Sequence, residues 1–232
     1  MPILQMICLA NSRKHQGRCI AGLRTDGRGW IRPVGDSGDG ALFPDEYMLQ
    51  YGTEPQALDM LSIDVVEPRP EPHQPENWLI GRRRWRLLAR PAPREVVRIL
   101  RSHLARGPGL FGDESDRIPF AAFSQAPAPA SLALVVPTDL RWRVLFTRYS
   151  SRPRVRACFT LAGAHYDLGV TDPICEMRLY GLPPGLHPLS AAGFSDDDRI
   201  LLTISLGEPF GEDACCYKLV AGVTVVPSSW RR

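Results

Sequence analysis

The stretch Ile7–Val34, ICLANSRKHQGRCIAGLRTDGRGWIRPV, decides how the rest of the chain is read. Ile3–Ala10 is an apolar run short enough to be a buried strand. The residues that follow, Asn11–Gly17 (NSRKHQG), are polar and read as a loop in which chemistry is gathered. Arg18–Arg24 returns to strand, and Thr25–Gly29 (TDGRG) is a turn signal. Trp30–Val34 (WIRPV) opens a third strand, which Pro33 confines to an edge or an end. This order would bring Asn11, Lys14, Trp30 and Arg32 to one sheet end, as a pocket with a stacking surface, an amide and two cations. The plainer reading, a polar loop between strands with no function, stands beside it.

Lysine usage favours the pocket. Of 28 basic residues only Lys14 and Lys218 are lysines. A chain that has drifted so far toward arginine keeps a lysine where a compact, flexible ammonium does what a planar guanidinium does not.

At 232 residues the chain fits one large or two small domains and can bury a core without staples. An apolar share of 44% and a charged share of 23% are those of a globular protein. Net charge +3 is too mild for a basic field over the whole molecule, so a nucleic-acid argument must rest on local patches. The 22 prolines favour many short elements joined by turns over a helical bundle. No window is long and apolar enough to span a membrane, and MPILQMICLANSRK lacks a basic leader, so a cytoplasmic location is expected. The six cysteines form no CxxC pair and no zinc-like cluster with histidine. They read as reduced residues, several of them inside apolar strands.

Gly35–Gly40 is a flexible loop, and Ala41–Gly52 holds a short helical turn led by Pro44. Leu58–Val66 (LDMLSIDVV) is a strand, and Glu67–Pro75, proline at four of nine positions, is an extended loop. Trp78–Arg90 carries a basic centre, Arg82–Arg86 with Arg83 and Trp85 inside it, which is either a solvated edge or a nucleic-acid contact. Pro93–Arg106 is the one clear helix, with Val96, Val97, Leu100 and Leu104 at helical spacing and Gly107 ending it. Gly107–Asp113 (GPGLFGD) is glycine-rich but lacks the GK[ST] ending of a phosphate-cradling loop. Gln125–Ser131 (QAPAPAS) reads as a linker, dividing the chain into residues 1–130, a barrel with an inserted helix, and residues 131–232.

The second half restarts the strand pattern at Leu132–Val136. Arg141–Thr147 puts Trp142, Val144 and Phe146 on one face and Arg141 and Arg143 on the other. Arg154–Leu161 repeats this, with Val155, Ala157 and Phe159 inward and Arg154 and Arg156 outward. A turn over residues 149–153 makes the two a hairpin with a basic outer face. Tyr166–Asp172 is a short strand ending at Pro173, residues 181–198 are loop, and Arg199–Leu206 and Tyr217–Val226 close the sheet, with Lys218 at the start of the last strand.

Each half thus offers about five strands with few helices and no strand–helix–strand alternation. The expected class is mainly β: two OB-like small β-barrels in tandem with one clear α-helix between strands, the alternative being a single larger β-sandwich. The blocks ICLANSRKHQGRCIAG, WIRP, LDMLSIDVV, GPGLFG, YDLGVTD and SLGEPF…CCYKLVAGV resemble the dual OB-containing domain family of prokaryotic proteins along nearly the whole chain. The matching positions are Lys14, Gly17, Cys19, Gly22, Trp30, Arg32, Pro33, Asp172 and Lys218. The resemblance implies two OB-like barrels and recognition of nucleic acid or nucleotides.

Three functions follow from these residues. A nucleic-acid module would use Arg83 and Trp85, and the hairpin face of Arg141, Arg143, Arg154 and Arg156, as cationic and stacking surfaces for single-stranded DNA or RNA. A pocket reader would hold a nucleotide with Asn11, Lys14, Trp30 and Arg32, and Lys218 would be the counterpart in the second barrel. An enzyme on a nucleotide-like substrate would use Lys14 or Cys19 as nucleophile, with Asp167 or Asp172 as base or metal ligand. Against catalysis, Cys19 lies mid-strand, Asp172-Pro173 is a common turn initiator, the five histidines are scattered, and no GxSxG occurs. The expectation is a non-catalytic binding module without cofactor or metal, any chemistry being carried by a protein partner.

Overall fold

The structure, a computed structural model, describes residues 2–147, 150–195 and 197–226. The first sheet contains β1 (Ile3–Lys14), β2 (Gly17–Arg24), β3 (Trp30–Val34), β4 (Met60–Pro68), β5 (Asn77–Ile80) and β6 (Arg86–Ala89). The short helix α1 (Pro44–Tyr47) lies between β3 and β4. The strand order is β1-β2-β3-β5-β4-β6, and β1 also pairs with β4, so five strands close into a barrel. Only the β3–β5 pair is parallel. The Ile3–Ala10 run reads as continuously apolar because β1 is covered on both faces. Met6 and Cys8 point into the barrel with Ile20, Ile31, Leu61 and Ile63, while Ile7 and Leu9 point outward into a second cluster.

The remaining elements are α2 (Pro93–Ser102), β7 (Arg117–Pro119), α3 (Ala121–Gln125), β8 (Leu132–Val135), β9 (Thr138–Thr147), β10 (Ser150–Leu161), β11 (Ala164–Val170), α4 (Pro173–Leu179), β12 (Gly185–His187), β13 (Arg199–Phe210) and β14 (Cys215–Val226). Their sheet runs β12-β9-β10-β11-β14-β13-β8, with β7 on β14. Only Val136 and Pro137 separate β8 from β9. Taken together they are one first strand interrupted at a proline, which has no N–H to give a ladder. The order of the first barrel then returns, with a parallel third–fifth pair (β11–β14) and a helix between third and fourth strands (α4). The chain is mainly β and built twice on one plan.

The two units meet along β1 and β14. A register shift in the β1–β2 ladder between Cys8 and Ala10 leaves Leu9 as the extra residue of a bulge. Its carbonyl accepts from Thr203 Oγ1 at 2.9 Å. Opposite Thr203 stands Gly222, where a Cβ would lie 2.1 Å from that same oxygen. Ala10, Ala21 and Ala221, small side chains where two backbones approach, pack beside it with Leu132. The apolar face of α2 seals one flank, with Val96 and Leu100 buried among Ile7, Leu9, Leu134 and Leu201.

Several expectations change. The polar stretch Asn11–Gly17 is not a loop: β1 continues through Lys14, and His15-Gln16 alone turn the chain, His15 at φ 48°. Its polar side chains have partners at hand, as Ser12 Oγ donates to the Cys19 carbonyl at 3.2 Å. β3 is no edge, since β2 bonds it through Trp30 and Ile31 and β5 through Arg32–Val34, so Pro33 falls past the end of the first ladder. The helical turn expected at Pro44 is α1, whereas the one clear helix ends at Ser102 and is joined by α3 and α4, which were not expected. α4 begins where a strand was expected only to stop: Asp172 Oδ1 caps it, accepting from the Ile174 and Cys175 amides at 2.9 and 3.1 Å. Residues 181–198 include β12 and a 3-10 turn at Leu189–Ala192. Of the turn expected over residues 149–153, Tyr149 lies outside the described residues, and from Ser150 the chain is already strand. Phe146 is exposed rather than inward with Trp142 and Val144; it lies opposite the irregular stretch of β10, between the pairs of Leu145 and Thr147.

The seam yields a prediction. Gly222→Ala sets a methyl group against the Leu9 carbonyl, where backbone on both sides resists movement, and should cost about 2–3 kcal/mol in urea unfolding. Unchanged stability would mean that the barrels do not meet at this distance.

Candidate functional site

A cleft of about 560 Å³ opens between the two units. One wall is the tip of the β1–β2 hairpin, with Ser12, Lys14 and Cys19. The other is β10 and β11, the second and third strands of the second barrel, with Arg154 and Arg156, and Thr171 just past the end of β11. Ser205, Glu208, Phe210 and Tyr217 on β13 and β14 complete it. The second and third strands are the face with which OB-type barrels hold ligands.

Glu208 is the hub of the cleft. Lys14 Nζ donates to its Oε1 at 2.9 Å, and His73 Nε2 lies 2.7 Å from Oε2. Burial pushes the Glu208 carboxyl up, but the hydrogen bond from His73 and the Lys14 ammonium outweigh it and hold the group down at about 2. Two further cleft cations are matched in the same way. Arg13 pairs with Glu176 at 3.2 Å, and Arg156 with Asp167 at 2.7 Å, whose second oxygen takes Arg143 at 2.8 Å. Burial raises the Glu176 carboxyl. Arg154 is exposed on the cleft and forms no ion pair among the described residues. Phe210 is 72% exposed, and Tyr217 packs edge-on to it at 6.5 Å. Among the described residues no group of three His, Cys, Asp or Glu side chains is placed to hold a metal ion.

The four residues expected to form one pocket are spread over three environments. Successive side chains of a strand leave on opposite faces, so Asn11 turns away from Ser12 and Lys14. Its Nδ2 donates to Glu54 and, at 2.9 Å, to the Pro55 carbonyl. Trp30 is half-buried against the small residues of the seam. Arg32 is fully buried beneath the cleft, its Nη2 donating to Ser205 Oγ at 3.0 Å. Only Lys14 lines the cleft.

Lys218 is not a counterpart to it. The side chain is buried, and its ammonium donates to Asp113 O at 2.7 Å and lies 3.2 Å from Asp113 Oδ1. Burial pushes its pKa down against these bonds. Tyr166, whose ring lies 6.0 Å from Nζ, takes the Leu110 amide and donates to the Pro108 carbonyl. Lys218 and Tyr166 therefore clamp the glycine-rich loop at Gly107–Asp113. Trp85 is likewise no stacking platform. It is the one apolar residue in a basic loop and is drawn wholly into the first barrel's core, leaving Arg83 exposed and away from the cleft. Arg141 and Arg143 are exposed on β9, next to β10. Glu208, His73, Ser205, Phe210 and Tyr217 carry no signal that singles them out in the sequence beyond the block SLGEPF.

The carboxylate hub gives a pH dependence. A group held near 2, below its ordinary 4.5, contributes stability that is complete above the ordinary value and lost as pH falls through the lower one. Glu208→Gln should therefore flatten the fall in unfolding free energy between these two values, compared with the unsubstituted protein in matched urea titrations. Parallel pH curves would mean that the Lys14 and His73 contacts do not form in solution.

Among curated proteins none matches the chain. The model of the dual OB-containing domain family matches residues 4–223, and with the barrel order 1-2-3-5-4 appearing twice, the chain belongs to that family.

Proposed function

We propose that the cleft between the barrels binds single-stranded nucleic acid or a nucleotide, without itself performing chemistry. OB folds as a class bind nucleic acids and nucleotides, which supports the general reading but identifies no ligand. The observation that carries the specific one is the conjunction of Arg154 and Arg156 with an exposed Phe210 and Tyr217 in one cleft, closed by Lys14 from the other barrel. A base stacked on Phe210 would bring its phosphate toward Arg154 and Lys14. Arg143 and Arg141 would continue the cationic track along β9 for a strand longer than the cleft. Because Lys14 and Arg156 already hold carboxylates, phosphates must compete with Glu208 and Asp167. Affinity should then be moderate and steeply salt-dependent. Any reaction on the bound strand would fall to a partner protein.

The test is fluorescence anisotropy with single-stranded DNA, single-stranded RNA, duplex and a mononucleotide at two salt concentrations. Single strands should bind in preference to duplex and more weakly at high salt. Arg154→Ala should reduce the salt slope by about one, whereas Arg83→Ala should leave binding unchanged. Equal binding by the Arg154 variant and the unsubstituted protein, or no binding of any probe, would overturn the proposal.

A further inference from the structure

We infer that the floor of the cleft holds a terminal phosphate, at Ser205 above the buried Arg32 guanidinium. This rests on the nucleotide reading of the cleft and specifies which part of the ligand lies deepest.

The argument is one of charge matching. Lys14, Arg13 and Arg156 each have a carboxylate, in Glu208, Glu176 and Asp167, and Arg154, which has none among the described residues, is exposed to solvent. Arg32 has none among the described residues, although it is fully buried. Its Nη1 reaches only the neutral Asn77 Oδ1, at 3.5 Å, and its Nε has no partner. Glu76 supplies a backbone carbonyl to the Arg32 amide at 2.9 Å, yet its carboxylate is turned to Ser131, at 2.8 Å from the amide and 2.6 Å from the hydroxyl. A buried charge without a counter-ion is strongly unfavourable, and a fold that keeps one has a use for it.

The outlet of this charge is Ser205. Its hydroxyl accepts from Arg32 Nη2 at 3.0 Å, and Ser205 is among the residues that line the cleft. Its own proton goes to the Leu206 carbonyl over a long 3.4 Å, a bond readily exchanged for a phosphate oxygen. With its hydroxyl polarised by a guanidinium, Ser205 is a stronger donor than a serine alone. Gln74, also buried, lies beside it with its amide committed to the Leu206 carbonyl at 3.0 Å. On this proposal a strand would end at Ser205 and would not thread past it. A phosphomonoester suits the place because it carries more charge than an internal diester and only one substituent, which points back toward the mouth and Phe210.

The experiment compares matched pairs on the full chain. A nucleoside is titrated against its monophosphates, and a short single strand with hydroxyl ends against the same strand with a phosphorylated end. Inorganic phosphate serves as competitor. The phosphate-bearing member should bind about tenfold tighter, as expected for a hydrogen bond to a charged group. Ser205→Ala should abolish that preference, bringing the affinity of the phosphate-bearing member down to that of the hydroxyl-ended one. Because Arg32→Met risks the fold, Ser205→Ala carries the test. A preference confined to the nucleoside pair identifies a free nucleotide, and one shared by the strand pair identifies a strand end. Equal affinities within both pairs, or a preference that survives Ser205→Ala, overturn the inference while leaving the broader reading intact. Binding by no probe overturns both.

Discussion

The Leu9 carbonyl, displaced from the β1–β2 ladder by a bulge, is held by the Thr203 hydroxyl and approached by the bare backbone of Gly222. That contact sets the spacing of the two barrels. Small residues on both sides let the backbones come this close, and α2 covers the apolar flank that results. With the seam fixed, the end of the β1–β2 hairpin has to project over the second barrel. A further backbone bond, Arg13 N to Thr171 O at 2.8 Å, ties it there. Lys14 then faces Glu208, and the cleft is a consequence of where the barrels touch.

The parts of the fold that could be read in the sequence are those set by local pattern. Continuous apolar runs marked β1, β13 and β14, alternation marked β9 and β10, and helical spacing marked α2. The polar end of β1 misled, because its residues are polar to meet partners across the sheet and across the seam, and a loop has the same composition. Trp85 misled in the opposite direction, since a tryptophan among arginines looks like a binding surface until a core is found beneath it. Of the two lysines, both have specific engagements, but only one of them faces the cleft. Lys218 places one ammonium on two oxygens of Asp113 in a buried site, a fit suited to a compact point charge. Glu208 lies far along the chain from both Lys14 and His73, and no local pattern announces a partner at that separation.

The electrostatics of the cleft also explain why a net charge of +3 is compatible with holding an anion. The arginines of the hairpin face are not a bare positive field: Asp167 neutralises two of them, and Glu208 and Glu176 answer the cations of the other wall. On the proposed function such a site would discriminate by geometry, since the ligand would have to offer phosphates where carboxylates can be displaced and a flat surface for Phe210. Exposed arginines elsewhere, as in the Arg82–Arg84 loop, do not line this cleft, and Trp85 beside them is buried in the core.

The claim that recognition takes place between the barrels is tested most directly by backbone amide chemical shifts during titration with a short single strand. The account predicts that shifts gather at Lys14, Arg154, Thr171, Ser205 and Phe210, on both walls at once. Shifts confined to one barrel, or gathered at Arg82–Arg84, would contradict it.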